Sequence, residues 1–303
     1  MTAGKKSPEA EWLEKGDSLF EAYRYEEALE AYRKVRAVDP GYLHAVNRMG
    51  TILTLTGHDE EALECFEEVL ELGAENPILA DAALNNTAAI LRKHGRFEEA
   101  IAAYDRALDL EPRNVMALCN KGNVFSDMGM DEEALALYEM AVAIEPGNAA
   151  LLVNKAYALT GLNRLEEALA VLDAALDADP GNIMALNNRG NVLSELGRDD
   201  EAIPMFEQAL KNDPERVAAM INMGISLAKL GRHEEALIAF DRALIHDPDN
   251  ILALDNKGCS LAELGRDREA LVAYERALDI SPADAGLRRN FDRLLKKIGR
   301  RSG

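Results

Sequence analysis

The chain has 303 residues, of which 48% are hydrophobic and 5% are aromatic. This hydrophobic content is enough to build a packed core, so the composition excludes a disordered chain. The formal charge of −20 argues against direct binding to nucleic acid or to an anionic membrane surface, because phosphate contacts need clustered Lys and Arg.

The cysteines and histidines lie too far apart in the sequence to suggest a disulfide framework, a metal site or a catalytic pair. We therefore expect a protein that is not an enzyme and that carries no metal and no cofactor. The first residues lack the apolar core of a signal peptide, and no apolar run approaches the ~18 residues that a membrane span needs. A cytoplasmic location is expected. The cysteines and histidines that were considered for disulfide, metal and catalytic sites are Cys65, Cys119, Cys259, His44, His58, His94, His233 and His246.

In chain order, residues 1–8 precede any pattern and are expected to be disordered. A 34-residue period then organises residues 9–284. Pro40 lies two periods and four residues before Pro112, and the four extra residues fall near 75–80. The prolines that mark the period are Pro112, Pro146, Pro180, Pro214, Pro248 and Pro282. The eight repeats are 9–42, 43–80, 81–114, 115–148, 149–182, 183–216, 217–250 and 251–284.

Each repeat is predicted to form two helices, A and B, joined by a turn. Numbering each repeat from its first residue, slot 8 is always Gly or Ala, slot 20 is Ala, and slot 24 is aromatic except for Leu172. Slot 15 is Gly in six repeats, as a left-handed helix end prefers. Asn163 and Tyr23 take slot 15 in the other two. Pro204 lies inside a predicted helix B and should remove one backbone hydrogen bond there.

This pattern resembles the tetratricopeptide repeat, in which Leu-Gly, Tyr, Ala, Phe, Ala and Pro recur at these offsets. The resemblance covers residues 9–284 and implies an all-α solenoid, a right-handed superhelix of helix-turn-helix units whose concave wall is made of A helices. Residues 285–298 are predicted to form a capping helix, followed by a basic tail at 299–303. The apolar side of that helix is expected to contain Leu287, Phe291, Leu294, Leu295 and Ile298.

On a helical wheel, slots 2, 5, 6, 9, 12 and 13 of helix A lie opposite the buried stripe. These slots hold seven acidic and four basic residues in total, so the predicted groove is close to neutral. Slot 6 is asparagine in six repeats, and slot 9 adds two more. A primary amide can pair with the N–H and C=O of an extended peptide whatever its side chains are. The row comprises Asn86, Asn120, Asn154, Asn188, Asn222 and Asn256, with Asn123 and Asn191 beside it.

An apolar surface is expected around this row, able to accept varied side chains. It consists of Met116, Met184, Leu252, Val153, Ile221, Tyr157 and Cys259. The sequence therefore predicts a non-catalytic adaptor that binds a protein or an extended peptide in the groove.

Several alternatives stay open. The asparagines could instead bond neighbouring repeats to each other. Arg48, Arg92 and Lys93 form a weaker candidate contact for an anion. Residues 285–303 hold seven basic residues against one acidic residue, which could steer end-to-end association with the acidic remainder of the chain. The chain could accordingly be a self-assembling structural subunit, or a regulatory subunit of an enzyme complex.

Overall fold

The computed structural model describes residues 7–73 and 76–301, which form seventeen α helices and no strand. Residues 1–6 of the segment expected to be disordered lie outside the described residues, as do 74–75 and 302–303. The helices are α1 (Pro8–Glu21), α2 (Tyr25–Val38), α3 (Leu43–Leu55), α4 (Asp59–Leu72), α5 (Pro77–Lys93), α6 (Phe97–Leu110), α7 (Val115–Asp127), α8 (Asp131–Ile144), α9 (Ala149–Gly161), α10 (Leu165–Ala178), α11 (Ile183–Glu195), α12 (Asp199–Asn212), α13 (Val217–Lys229), α14 (His233–His246), α15 (Ile251–Glu263), α16 (Asp267–Ile280) and α17 (Ala285–Arg301).

The odd-numbered helices α1 to α15 are the A helices of the eight repeats, and the even-numbered helices α2 to α16 are the B helices. Each A helix packs on the B helix that follows it, and each B helix packs on the next A helix within its unit. The helices form two compact units, Met1–Pro146 with α1 to α8 and Gly147–Gly303 with α9 to α17. This is the all-α solenoid that the periodicity predicts, since one helix pair cannot bury its apolar face alone.

The turn between helices A and B is left-handed in all eight repeats. The six glycines at slot 15 have φ between 71° and 82°, and Tyr23 and Asn163 both have φ of 57°. The repeat therefore imposes this conformation even where the sequence supplies a tyrosine. A left-handed tyrosine is strained by about 1–2 kcal/mol because its Cβ crowds the following carbonyl oxygen.

Close packing of the two helices in each repeat depends on slots 8 and 24. In six repeats an added Cβ on the slot-8 glycine would lie only 2.5–2.7 Å from the slot-24 ring. In the fifth repeat, slot 8 is Ala156, which is larger than glycine, and slot 24 is Leu172, which is smaller than an aromatic residue. The third repeat holds Ala88 and Tyr104, so its helices accommodate both groups.

Asparagines at slot 34 cap the helices that follow them. The side-chain oxygen of Asn182, for example, accepts a hydrogen bond from the backbone N–H of Ala185 at 3.0 Å. Such a cap stabilises a helix by about 1 kcal/mol because it satisfies a free N–H of the first turn. The capping asparagines are Asn76, Asn114, Asn148, Asn182 and Asn250.

Helix α17 covers the last repeat and extends three residues beyond the predicted end of the capping helix. Leu287 and Leu294 are buried, and Phe291 and Ile298 pack against the core beneath them. The expectation that Leu295 joins this face is wrong, because its side chain is 43% exposed. Pro204 does not interrupt α12, which continues from Asp199 to Asn212.

Candidate functional site

The side of the A helices that faces solvent is formed by slots 2, 6, 9 and 13, and we call it the A-helix face. In α11, Met184 and Glu195 are exposed and Asn188 and Asn191 are partly exposed, whereas slots 3, 4, 8, 10 and 11 are buried. The division follows from helix geometry, because slots 2, 6, 9 and 13 fall within one narrow sector of the wheel.

Slot 5 does not belong to this face, which corrects the prediction for two apolar residues. Val153 and Ile221 are 6% and 3% exposed, so they do not form part of an open surface around the amides. The polar slot-5 residues Asn85 and Asn187 are also buried. Slot 5 points sideways at the adjacent A helix, and that helix covers it.

In the unit Gly147–Gly303, the A-helix face combines amides with exposed apolar side chains. Asn154, Asn188, Asn222 and Asn256 are all partly exposed. The face also holds Tyr157, Met184 and Leu252, whose side chains are 61%, 45% and 52% exposed. Large apolar side chains that face solvent beside hydrogen-bonding groups are typical of a binding surface.

Asn222 at slot 6, and Asn290 at the equivalent position of α17, bond to slot 5 of the preceding A helix. Asn222 Nδ2 lies 3.5 Å from the Oδ1 of buried Asn187, and Asn290 of α17 donates to Asp255 Oδ1 at 2.9 Å. Burial raises the pKa of the Asp255 carboxyl, while the hydrogen bond from Asn290 opposes that shift. Bonding between neighbouring repeats, the alternative role of the asparagines, thus occurs at these two positions, but not at every polar slot 5, because the Oδ1 of buried Asn85 has no hydrogen-bond partner.

Where the preceding slot 5 is apolar, the amide has no such partner. Asn188 follows Val153, and neither it nor Asn191 has a hydrogen-bond partner among the residues that the structure describes. Asn256 follows Ile221 and instead donates to the Leu252 carbonyl of its own helix at 2.8 Å. Asn188 is therefore the member of the row that is most available to a ligand in this unit.

In the unit Met1–Pro146, Asn86 and Asn120 are partly exposed and Met116 is exposed. Asn123 is tied to the fold, because the hydroxyl of Tyr138 donates to its Oδ1 at 2.8 Å. Its Nδ2 lies 3.5 Å from Asn120 Oδ1. Burial raises the pKa of Tyr138 to about 12, so the hydroxyl keeps its proton and remains a donor.

The three cations proposed for an anion contact each have a carboxylate partner. Arg92 Nε lies 2.6 Å from Asp127, Lys93 Nζ lies 2.6 Å from Asp59, and Arg48 Nε lies 3.8 Å from Asp17. The anion contact stays a prediction, but an anion would have to compete with these carboxylates.

The pair Lys93–Asp59 is one example of a recurring ion pair. It joins slot 13 of an A helix, or the equivalent residue of α17, to slot 17, the first residue of the B helix that comes before it. Lys297 and Asp267 are joined in the same way at 3.4 Å. The ammonium group of Lys93, together with His94, holds the pKa of Asp59 below its usual range. The link is thus structural, since it ties the third repeat to the second and α17 to the eighth repeat.

Within the described part of the chain, no three His, Cys, Asp or Glu side chains are grouped so that they could hold a metal ion. In residues 7–73 and 76–301, no helix combines the length and the apolar content that crossing a bilayer requires.

Models of the tetratricopeptide repeat match nearly the whole repeat region. The matched segments are 19–85, 88–129, 117–148, 147–215, 187–251 and 252–284.

Two curated relatives are both photosystem I assembly proteins, named Ycf3. The protein from Synechococcus sp. (strain WH7803) is 42% identical over 69 residues, 23% of this chain and 39% of the relative. The protein from Prochlorococcus marinus (strain MIT 9211) is 36% identical over 78 residues, 26% of this chain and 44% of the relative. The chain thus spans less than half the length of these relatives.

Two solved structures share the fold. The APC/C hetero-tetramer Cut9-Hcn1 matches with a TM-score of 0.67 at 18% identity, over 94% of this chain and 55% of that chain. PilW, a type IV pilus biogenesis factor, matches with a TM-score of 0.65 at 20% identity, over 71% of this chain and 98% of that chain. At these identities the likeness concerns the fold alone.

Proposed function

The chain belongs to the tetratricopeptide-repeat family, and from that premise we propose that it is a non-catalytic scaffold whose A-helix face binds an extended segment of another protein. The observation that carries the proposal is the exposure of Tyr157, Met184 and Leu252 beside partly exposed amides. Apolar surface of this kind gains free energy when a partner covers it.

Asn188 is central to the proposed mechanism. Its amide is partly exposed, it offers two donors and one acceptor, and no group in the described chain uses them. A peptide backbone presents one donor and one acceptor per residue, so the amide can bond to any sequence. Affinity would come from the apolar contacts, and the amide would fix the position of the peptide main chain.

The non-catalytic part of the proposal is supported by where the perturbed ionisable groups lie. The pKa of Asp59 is lowered by its link to Lys93, and the pKa of Tyr138 is raised by burial in a repeat core. The first shift arises from a contact between two repeats and the second from the core of one repeat, rather than from a cleft that contains an acid and a base. The name of the two curated relatives, assembly protein, fits a scaffold.

The experiment selects ligands from a library of random dodecapeptides displayed on phage, using the full chain as bait. Affinity for the selected peptides is then measured by fluorescence anisotropy for the wild type and for Asn188→Ala. We expect the substitution to weaken binding by about fivefold, because one or two hydrogen bonds are lost.

A matched control is Asn182→Ala, which removes a helix cap six residues away from Asn188 and off the A-helix face. It should lower the melting temperature and leave the affinity unchanged. The proposal is wrong if no peptide is selected above the level of a bait-free control, or if Asn188→Ala leaves every selected peptide bound as before.

Self-association is a second candidate, favoured by one observation on α17. Arg289 and Lys296 are exposed, and neither has a carboxylate within ion-pair distance among the described residues. A cationic helix on an acidic chain can bind a second copy electrostatically. Sedimentation equilibrium should then show dimers or larger species at low salt that dissociate at high salt, and a monomer at both salt concentrations would exclude it.

A further inference from the structure

The large apolar residues of the A-helix face alternate between two slots from one helix to the next. Slot 9 is Tyr157 in α9 and Ile225 in α13, whereas slot 2 is Met184 in α11 and Leu252 in α15. Tyr157, Met184 and Leu252 are exposed, and Ile225 is partly exposed. The complementary positions hold smaller or polar side chains, namely Ala150, Asn191, Ala218 and Cys259.

These two slots lie on opposite sides of the amide row. With a rise of about 1.5 Å per residue, slot 2 lies about 6 Å before slot 6 along the helix, and slot 9 lies about 4.5 Å after it. A peptide that crosses the helices over the amides would therefore have one apolar contact per helix. The contact would fall on alternating sides of its backbone.

The spacing of helices and strands converts this alternation into a sequence rule. Packed helices are about 8–10 Å apart, and an extended peptide rises about 3.3 Å per residue, so three residues span one repeat. Successive side chains of a strand point to opposite sides. A step of three residues is odd, so the side chain that reaches the next helix points to the other side of the backbone.

We infer that the segment bound by the unit Gly147–Gly303 is an extended peptide with an apolar side chain at every third residue. This inference rests on the proposed function. An apolar residue at every second position would instead place all the apolar side chains on one side of the peptide backbone. On the slot-2 side, half of them would meet Ala150 and Ala218, and on the slot-9 side, half would meet Asn191 and Cys259.

The intervening positions of the peptide are expected to favour Lys and Arg. Glu195 and Glu263 at slot 13 are exposed on this face. The Lys229 ammonium between them is paired with the Asp199 carboxylate at 3.8 Å and is also bonded to the carbonyl and hydroxyl oxygens of Ser194 at 3.0 and 2.8 Å. The charge that remains open to a ligand at this edge is therefore negative, which complements a basic spacer.

The test compares two fluorescein-labelled dodecapeptides of identical composition, each with four Leu among Thr and Lys. In one the Leu residues stand at the first, fourth, seventh and tenth positions, and in the other at the first, third, fifth and seventh. Anisotropy titrations with the full chain should show the first peptide binding about tenfold more tightly. Met184→Ser should weaken the first peptide by about fivefold, since it removes one apolar contact.

The control variant is Val272→Ser, which removes an exposed apolar side chain from the B helix α16 and should change neither affinity. Equal binding of the two peptides, with both weakened by Asn188→Ala, would overturn the every-third rule and leave peptide binding in place. Binding of phage-selected peptides but of neither designed peptide would overturn the rule in the same way. If no peptide binds in either experiment, the proposed function fails together with the rule.

Discussion

The packing of slot 8 against slot 24 leads to a prediction whose sign opposes helix propensity. A Cβ at Gly190 in α11 would lie 2.5, 2.7 and 3.0 Å from three ring atoms of Phe206. Phe206 is completely buried, so the ring can move away only by shifting against other core side chains. In an unhindered helix, Gly→Ala would be stabilising by about 1 kcal/mol.

The magnitude follows from the balance of these two effects. Overpacking a well-filled core costs about 1–3 kcal/mol, and three contacts of 3.0 Å or less with a fully buried ring place Gly190→Ala at the upper end. After the propensity gain of about 1 kcal/mol, we expect a net loss of about 2 kcal/mol. The third repeat, which holds Ala88 opposite Tyr104, shows that the two groups can coexist, so the variant should still fold.

The fifth repeat supplies the compensating change, because it pairs Ala156 with Leu172. Phe206→Leu should therefore partly rescue Gly190→Ala, with a coupling of about 1–2 kcal/mol in the double-mutant cycle. Urea unfolding followed by circular dichroism gives the free energy of unfolding of the wild type, the two single variants and the double variant. The control is Gly299→Ala, at a helical position where the added Cβ meets no other atom. A stabilised Gly190→Ala, or strictly additive effects, would refute the packing argument.

Three further predictions concern single side chains. Tyr23→Gly should raise the free energy of unfolding by about 1 kcal/mol in urea titrations, because glycine adopts its φ of 57° without strain; an unchanged or lower value would contradict this. Asn222→Ala should lower the free energy of unfolding by about 0.5–1 kcal/mol, because it leaves the buried Oδ1 of Asn187 without its hydrogen bond. Asn188→Ala should instead be neutral or stabilising, because alanine is the better helix former. Equal melting temperatures for the two variants would refute this distinction. The lowered pKa of Asp59 means that its ion pair with Lys93 stabilises the fold above about pH 4 and that this stabilisation is lost as the pH falls further. Lys93→Met should therefore lower the free energy of unfolding at pH 6 and have little effect near pH 2. A loss of stability that does not depend on pH would contradict this.

Much of the fold could be predicted because its signals repeat in register. Three signals recur often enough to outweigh single exceptions such as Tyr23. They are the small residue at slot 8 paired with a large one at slot 24, the left-handed turn at slot 15, and the prolines. The slot-34 cap at Asn182 was missed, although an asparagine directly before an apolar helix is an ordinary N-cap signal.

The site was harder to predict because a helical wheel describes one helix in isolation. The wheel places Val153 and Ile221 on the open face, but neighbouring A helices cover slot 5. Whether a slot-6 asparagine can bond to the preceding A helix depends on a residue about 35 positions earlier: Asn222 meets Asn187, while Asn188 meets Val153. That dependence becomes visible only once the helices are stacked.

The central claim is that the Asn188 amide bonds to the backbone of an extended peptide, and N-methylation of a selected peptide tests it most directly. Each backbone N–H is methylated in turn, and the affinity for the wild type and for Asn188→Ala is measured. The account predicts that methylation weakens binding at positions spaced by three residues. At one of these positions the loss should disappear in Asn188→Ala, because the amide that accepts the bond is gone. A loss that is the same in both proteins at every position would contradict the claim.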